Sequence, residues 1–199
     1  MEMTEAIRRR RMTRNFSGSP LPDGLVDRLL ADALRAPSAG NTQGLEFVVL
    51  EGRAQTDQYW YATTDEAWRR DSRRYEGLRR APVVVLAYAD PDRYLNRYRE
   101  PDKAPADGTD VTWVVPFWFV DIAFATMTLL LRAADEEIGA AFLGNFRGEE
   151  DLRSVLGVPP SLAWMGAVLL GEGAEPDPPS SSLNRARRPF QAAVHRGRW

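Results

Sequence analysis

The sequence contains no cysteine and only one histidine, His195. Without thiols the chain can form no disulfide, thiolate metal site or iron–sulfur cluster. A single histidine likewise argues against a multi-histidine metal centre and against a Ser–His–Asp triad. Any redox chemistry must therefore come from a bound cofactor. We predict that His195 is a surface or interface residue, and the lack of cysteine is in keeping with a cytoplasmic protein.

A strong charge of one sign is also missing, as are internal repeats and low-complexity segments. The 26 basic residues nearly balance the 28 acidic ones, and the net charge of −2 argues against a protein built to bind nucleic acid. With 199 residues, of which 44% are apolar, the chain can build a sizeable core. We predict one domain over residues 1–199, in which residues 172–199 form a linker and a C-terminal arm.

The longest apolar run, from Val114 to Leu131, is long enough to cross a membrane. It carries Asp121, and an aspartate in the middle of a bilayer costs about 3 kcal/mol. We therefore predict that the run is a buried core helix and that Asp121 is hydrogen-bonded or close to water. A charged segment follows Met1 directly, so neither a secretory signal nor membrane association is predicted.

Apolar runs and turn-forming segments alternate along the chain. Short apolar runs predict four strands, at residues 46–50, 81–89, 140–143 and 163–170. Helical spacing and capping residues predict helices at residues 4–11, 21–36, within 55–80, 116–135 and 149–156. The predicted fold class is α/β (α+β), with a mixed central sheet flanked by helices. Residues 90–110 are predicted to be a long polar excursion, which is usually functional or mobile.

Arginine is concentrated near both ends of the chain. The first cluster occupies positions 8, 9, 10, 11 and 14, and the second comprises Arg185, Arg187 and Arg188. Guanidinium groups are bidentate donors suited to phosphate. The i, i+2 spacing of Arg185 and Arg187 places both on one side of an extended segment. The alternatives are a solvated charged face for the first cluster, and a solubilising tail or nucleic-acid patch for the second.

Two further segments have the composition of a ligand site. Residues 37–43 end a predicted helix with small residues and hydrogen-bonding side chains, which can hold a planar polar ligand against the backbone. Residues 139–146 contain a strand that ends at Gly144, where the missing side chain allows close approach to the backbone. An ordinary helix-ending loop and an ordinary glycine turn are the alternatives.

In their order and spacing, these segments resemble the nitroreductase family of FMN-dependent oxidoreductases. The N-terminal arginines resemble its phosphate-binding motif, residues 37–43 its flavin-facing turn, and residues 139–146 the strand that passes the flavin ring. The resemblance covers nearly the whole chain and implies a set of FMN-binding residues. These are Arg10, Arg11, Met12, Arg14, Pro37, Ser38, Ala39, Asn41, Gln43, Leu143, Gly144, Arg185 and Arg187.

The resemblance also implies an activity. NADH or NADPH would reduce FMN, with the Gly144 backbone near N5, and a small organic acceptor such as a nitroaromatic or a quinone would take the electrons. It further implies a homodimer with its flavin sites between subunits, and no side chain acting as a strong acid or base. The chain departs from the family pattern at Met12, usually a serine, and at Gly44, commonly a proline.

Several alternatives stay open at this point. The same fold could carry a different flavin reaction, such as dehydrogenation, dehalogenation or flavin fragmentation. A basic-armed binding protein without turnover is the alternative outside the enzymes. The choice between NADH, NADPH and a deazaflavin donor is not indicated, because no Gly-x-Gly-x-x-Gly fingerprint is present. Residues 90–110 are the expected determinant of substrate choice, and the aromatic residues at positions 113 and 117–119 belong either to the core or to a substrate pocket.

Overall fold

The computed structural model describes residues 1–144, 146–177 and 185–199. The four strands are β1 (Leu45–Glu51), β2 (Val83–Ala89), β3 (Gly139–Gly144) and β4 (Ala163–Gly171). The helices are α1 (Met3–Arg9), α2 (Leu25–Ala33), α3 (Gly52–Thr63), α4 (Glu66–Asp71), α5 (Tyr75–Arg79), α6 (Pro91–Arg97), α7 (Phe117–Asp135) and α8 (Glu149–Leu156). All four predicted strands are confirmed, and each observed boundary lies within two residues of the prediction.

The strands form one sheet in the order β1-β2-β4-β3, and every neighbouring pair is antiparallel. The α+β class is confirmed, whereas the prediction of a mixed sheet is wrong for these four strands. Among the described residues, parallel pairing is limited to an isolated bridge between Met12 and Ala140 at the outer edge of β3. Continuous apolar runs predict burial on both faces of a strand but do not specify its direction.

Burial of β2 on both faces explains why helices cover both sides of the sheet. All seven residues of β2 are buried. One face packs on α3, α5 and α8 through an aromatic cluster that includes Tyr59, Trp60 and Trp164. The other face packs on α2 and α7. Helix α7 contacts all four strands and therefore anchors this second layer.

Helix α7 is the core helix predicted from the apolar run. By length and composition it could cross a membrane, but its buried residues pack on the sheet and on α2. Its opposite face is also apolar and is exposed, with Phe117 at 41%, Phe124 at 49% and Met127 at 41% of their full accessibility. The helix is therefore buried on one side only.

The other differences between the predicted and the observed helices lie in polar segments. Helix α1 ends at Arg9, so Arg10 and Arg11 lie beyond it rather than within it. Residues 55–80, predicted to be helical, contribute to three helices, α3, α4 and α5. The excursion at 90–110 begins with α6, which is capped by the Asp90 side chain and has Pro91 in its first turn.

The C-terminal arm is described from residue 185 onward. Every residue from 185 to 199 is exposed, in keeping with an arm that leaves the globule. Asn145 and residues 178–184 lie outside the described residues, so the second half of the predicted linker and the start of the tail at Leu183 are not assessed.

Two glycines that flank α8 provide a test of how closely α3 packs on the start of α8. Gly148 and Gly157 both have a left-handed backbone, but a Cβ on Gly148 would collide with the Ala62 carbonyl, whereas one on Gly157 meets nothing within 4 Å. Gly148→Ala should therefore destabilise the fold by about 3 kcal/mol or more, and Gly157→Ala by about 1 kcal/mol. Chemical denaturation of both variants measures the difference, and equal losses would contradict the close packing of α3 on the start of α8.

Candidate active site

The turn at residues 37–43 has an unusual backbone. Gly40, Asn41 and Gln43 all adopt left-handed conformations, with φ of 63°, 53° and 53°. Positive φ is uncommon for residues other than glycine and is often found at functional sites. The Ser38 hydroxyl accepts a hydrogen bond from the Gln43 N–H at 2.9 Å, which closes the turn.

The turn is anchored from outside by a buried carboxylate. Asp121 on α7 is only 2% exposed, and its Oδ2 accepts hydrogen bonds of 2.8 Å from both the Ala39 N–H and the Tyr94 hydroxyl. Burial, and then the hydrogen bond to Asp121, raises the pKa of Tyr94 above its usual range, so this hydroxyl stays protonated and donates. The prediction that Asp121 is hydrogen-bonded is confirmed.

A cation from the excursion holds the same turn. The Nε of Arg97 on α6 donates to the Gly40 carbonyl at 2.9 Å, and its two terminal nitrogens bind Asp102 at 2.7 Å each. Arg97 thus connects the turn to the excursion that follows α6. Sequence reasoning missed Tyr94 and Arg97, because neither lies in a motif and both belong to a segment expected to be a loop.

The side chains of the turn leave hydrogen-bonding groups free. The Gln43 amide nitrogen donates to Asn41 Oδ1 at 3.2 Å. Among the described residues, nothing pairs with the remaining donor of Asn41 or the remaining acceptor of Gln43. Both residues are exposed. The turn therefore exposes a free amide NH2 group on Asn41 and a free amide oxygen on Gln43, groups that a planar polar ligand can bind.

A second group of predicted residues meets along the outer edge of β3. The Thr13 N–H donates to the Ala140 carbonyl at 2.8 Å, and the Phe142 N–H points outward to the sulfur of Met12 at 3.3 Å. N–H groups two residues apart in a strand point the same way. The Gly144 N–H therefore also points away from β4, outward from the edge of the sheet. Gly144 is exposed. This edge therefore offers an amide donor at a position where a ligand can reach it.

Unpaired arginines lie at the beginning of that edge. Arg14 is not one of them, because its guanidinium donates a hydrogen bond to the Met12 carbonyl at 3.0 Å. Within the described part of the chain, neither Arg10 nor Arg11 makes an ion pair, although Met12 beside them is fixed on β3. Arg185 and Arg187 are exposed on the arm, and no described residue pairs with either. These four cations are therefore available for an anion.

The structure separates the two groups of predicted residues. The turn at 37–43 leads into β1, and Met12 and Gly144 border β3, which is the opposite edge strand. Three strand spacings place these edges about 14 Å apart. In one chain the predicted site residues are thus divided between two places, and the sequence alone does not indicate this separation.

An aromatic cluster reaches the turn through Tyr94, which packs on Gly44, and Tyr98, which packs on Gly40. Trp113 forms ring contacts with Phe117 and Trp118, and Tyr94 of α6 and Tyr98 just after it join the same cluster. A cleft of about 650 Å³ lies elsewhere, between the beginnings of α2 and α3. Its arginines are occupied by other groups of the chain, as in the bidentate pair of Arg79 with Asp57. Size alone therefore does not make this cleft the active site.

Comparison with known proteins decides the family. The model of the nitroreductase family matches residues 7–172. The chain belongs to the nitroreductase family. A protein of Archaeoglobus fulgidus named NADH dehydrogenase/NAD(P)H nitroreductase is 30% identical over 173 residues, which cover 85% of this chain and 84% of that one. An NADH dehydrogenase of Thermus thermophilus is 28% identical over 203 residues, which cover 92% of both.

Solved structures agree on the fold. A nitroreductase-type protein of Desulfovibrio desulfuricans, determined in complex with FMN, superimposes with a TM-score of 0.70 at 22% identity. The alignment covers 98% of this chain and 95% of that chain. The nitroreductase fold predicted from the sequence is therefore confirmed, and family membership supports an oxidoreductase.

The ion pair of Arg97 with Asp102 gives a testable pH dependence. The hydrogen bonds from Arg97 lower the pKa of Asp102 to about 2, from an ordinary value of 3.8. The pair should therefore persist as pH falls until it approaches about 2, and Arg97→Met should return the pKa of Asp102 towards 3.8. Carboxyl carbon NMR titration measures both, and Arg99→Met is the matched control, because Arg99 pairs with Asp110 instead. An ordinary pKa for Asp102 in the unmodified protein would show that the pair does not form.

Proposed function

We propose that this protein is an FMN-dependent oxidoreductase that takes electrons from NADH or NADPH and passes them to a small organic acceptor, such as a nitroaromatic or a quinone. The observation that carries the proposal is the open edge of β3. Its outward Gly144 N–H lies along the same edge as Met12, which follows the unpaired Arg10 and Arg11. Family membership, and the FMN bound to a related fold, support this assignment.

The residues present fit the two ends of FMN. Its phosphate is a dianion, and Arg10, Arg11, Arg185 and Arg187 are available to bind it. Its ring has a polar edge, for which the turn at 37–43 offers a donor and an acceptor. When bound, FMN would supply hydride and electron transfer, which no side chain of this chain can perform. The protein orients the reactants and limits the access of water, and Gly144 is the candidate donor to N5.

A complete site requires a second copy of the chain, because the turn and the Gly144 N–H are both assigned to the flavin ring, whereas one copy holds them about 14 Å apart across the sheet. The exposed face of α7 is suited to self-association. Its apolar residues repeat at alternating intervals of three and four, a spacing typical of helix–helix seams. They are Phe117, Val120, Phe124, Met127 and Leu131. We therefore assign α7 to the interface of a homodimer.

The two ends of α7 carry the two halves of the site. The turn contacts α7 at Asp121, whereas the N-terminal amino group binds Asp135 and Met12 pairs with Ala140, just after the helix ends. Asp121 and Asp135 are about 21 Å apart along the helix axis. A two-fold axis across α7 pairs the helices antiparallel, so the turn of one copy meets the arginines of its partner. This arrangement would assemble two equal sites per dimer.

The C-terminal arm fits the same assembly. Residues 185–199 include five arginines and no acidic residue, and the described arm is exposed throughout. An arm of this kind can reach a partner subunit and add Arg185 and Arg187 to the phosphate site. We place the protein in the cytoplasm, where reduced nicotinamide cofactors are available.

The flavin content of the purified protein tests the proposal. The protein should be yellow, release FMN rather than FAD on denaturation, and be reduced anaerobically by NADH or NADPH. Gly144→Val should abolish flavin binding with little loss of stability, because a Cβ on Gly144 meets only Phe146, at 3.6 Å, within the described chain. Gly173→Val is the control, since an added Cβ on Gly173 also meets only one side chain, Thr13 at 3.6 Å, and Gly173 lies near the Gly139 end of β3, away from Gly144. A yellow, fully active Gly144→Val variant would contradict the placement of the flavin.

The dimer is tested through α7. Phe124→Glu should convert the protein to a monomer and weaken FMN binding at least tenfold, since a charge in an apolar seam is costly to bury. Val155→Glu is the matched control, because Val155 is 60% exposed on α8, on the other face of the sheet. Light scattering and flavin titration measure both effects. An unmodified protein that is monomeric at micromolar concentration yet retains FMN would overturn the interface assignment.

A further inference from the structure

The turn at 37–43 is held from both sides by one tyrosine of the excursion. At its entry, the Tyr94 hydroxyl and the Ala39 N–H share the Asp121 carboxylate. At its exit, a Cβ added to Gly44 would lie 2.6 Å from a ring carbon of Tyr94. The ring therefore packs directly against the backbone that leaves the turn.

Asp121 is an unusual group at this position. It makes no ion pair with any described residue, although it lies in an otherwise apolar stretch of α7 and is almost completely buried. A buried carboxylate without a cation is costly unless donors compensate it. Its two donors are a hydroxyl and one backbone amide of the turn. The charge therefore favours the one turn geometry that directs the Ala39 N–H inward.

The strain in the turn makes such a restraint necessary. Left-handed backbone at residues other than glycine costs about 1 kcal/mol or more each, and Asn41 and Gln43 both adopt it. These are the residues whose side chains carry the free donor and acceptor. Their direction depends on the strained backbone, and the backbone depends on contacts from α6 and α7.

We propose that Asp121 and Tyr94 are positioning residues for the flavin site. Through Ala39 and Gly44 they fix the turn in the left-handed form that aims the amides of Asn41 and Gln43 at the flavin. Neither residue contacts the flavin itself. This inference rests on the proposed function and extends it, because it assigns the excursion a role in cofactor binding, whereas the sequence suggests a role in substrate choice.

The first experiment needs no cofactor. Tyr94→Phe removes one hydroxyl and keeps the ring against Gly44. Hydrogen–deuterium exchange of the flavin-free protein should become at least tenfold faster in residues 38–43, with unchanged exchange in β2. Tyr98→Phe is the matched control: Tyr98 caps the C-terminal end of the same helix, its ring packs beside Gly40, and its hydroxyl bonds to no described residue. Asp121→Asn should also accelerate hydrogen–deuterium exchange in residues 38–43.

The second experiment measures FMN affinity by fluorescence titration. Tyr94→Phe should weaken binding about tenfold, as expected for loss of one hydrogen bond to a charged group, and Tyr98→Phe by less than twofold. Gln43→Met removes an amide while keeping the length of the side chain. If Tyr94 acts through the turn, the double variant Tyr94→Phe/Gln43→Met should bind FMN within about twofold of Gln43→Met alone.

The possible outcomes separate the two proposals. Unmodified protein that binds no FMN contradicts the proposed function and with it the role of Asp121 in the flavin site, whatever the exchange data show. Unmodified protein that binds FMN leaves the proposed function standing. In that case, equal hydrogen–deuterium exchange of residues 38–43 in Tyr94→Phe and Tyr98→Phe overturns the positioning role. The role is also overturned if the double variant loses FMN affinity by the product of the two single fold-losses.

Discussion

The burial of β2 on both faces is the constraint on which the rest of the structure depends. A strand with no exposed residue requires a helical layer on each side, and α7 supplies most of one layer. The same helix carries Asp121, which holds the turn, and at its far end it leads into β3, which carries the other half of the site. One helix therefore sets the positions of both halves, and its remaining apolar face determines where a second copy can bind.

Much of this fold could be predicted from local patterns. Continuous apolar runs identified all four strands, and the apolar run around Asp121 identified α7, because burial of this kind leaves a strong signal in composition. Strand direction left no such signal, and the predicted mixed sheet was wrong for these four strands, which all pair antiparallel. Helix α6 was missed because its stability comes from the Asp90 cap and from contacts of Tyr94 and Arg97, rather than from an apolar stripe.

The candidate site was likewise predictable in part, through its residue types but not through their arrangement in space. Residues such as Asn41 and Gly144 were predicted because they match family motifs, and their types suit a polar ring and a close backbone approach. The sequence could not show that the turn and β3 lie at opposite edges of the sheet, since strand order is a property of the folded chain. Nor could it reveal the tie between Asp121 and Tyr94, whose positions are 27 residues apart.

The open edge of β3 has a consequence for the flavin-free protein. A strand with unpaired amides is a template for pairing with other chains, and proteins usually block such edges with charge, proline or a covering segment. Here Met12 covers the first part of β3, while no residue that the structure describes pairs with the part near Gly144, which is exposed. A ligand that occupies this edge would therefore also act as its protection. On this view, cofactor supply and resistance to aggregation are linked in this protein through a single short strand.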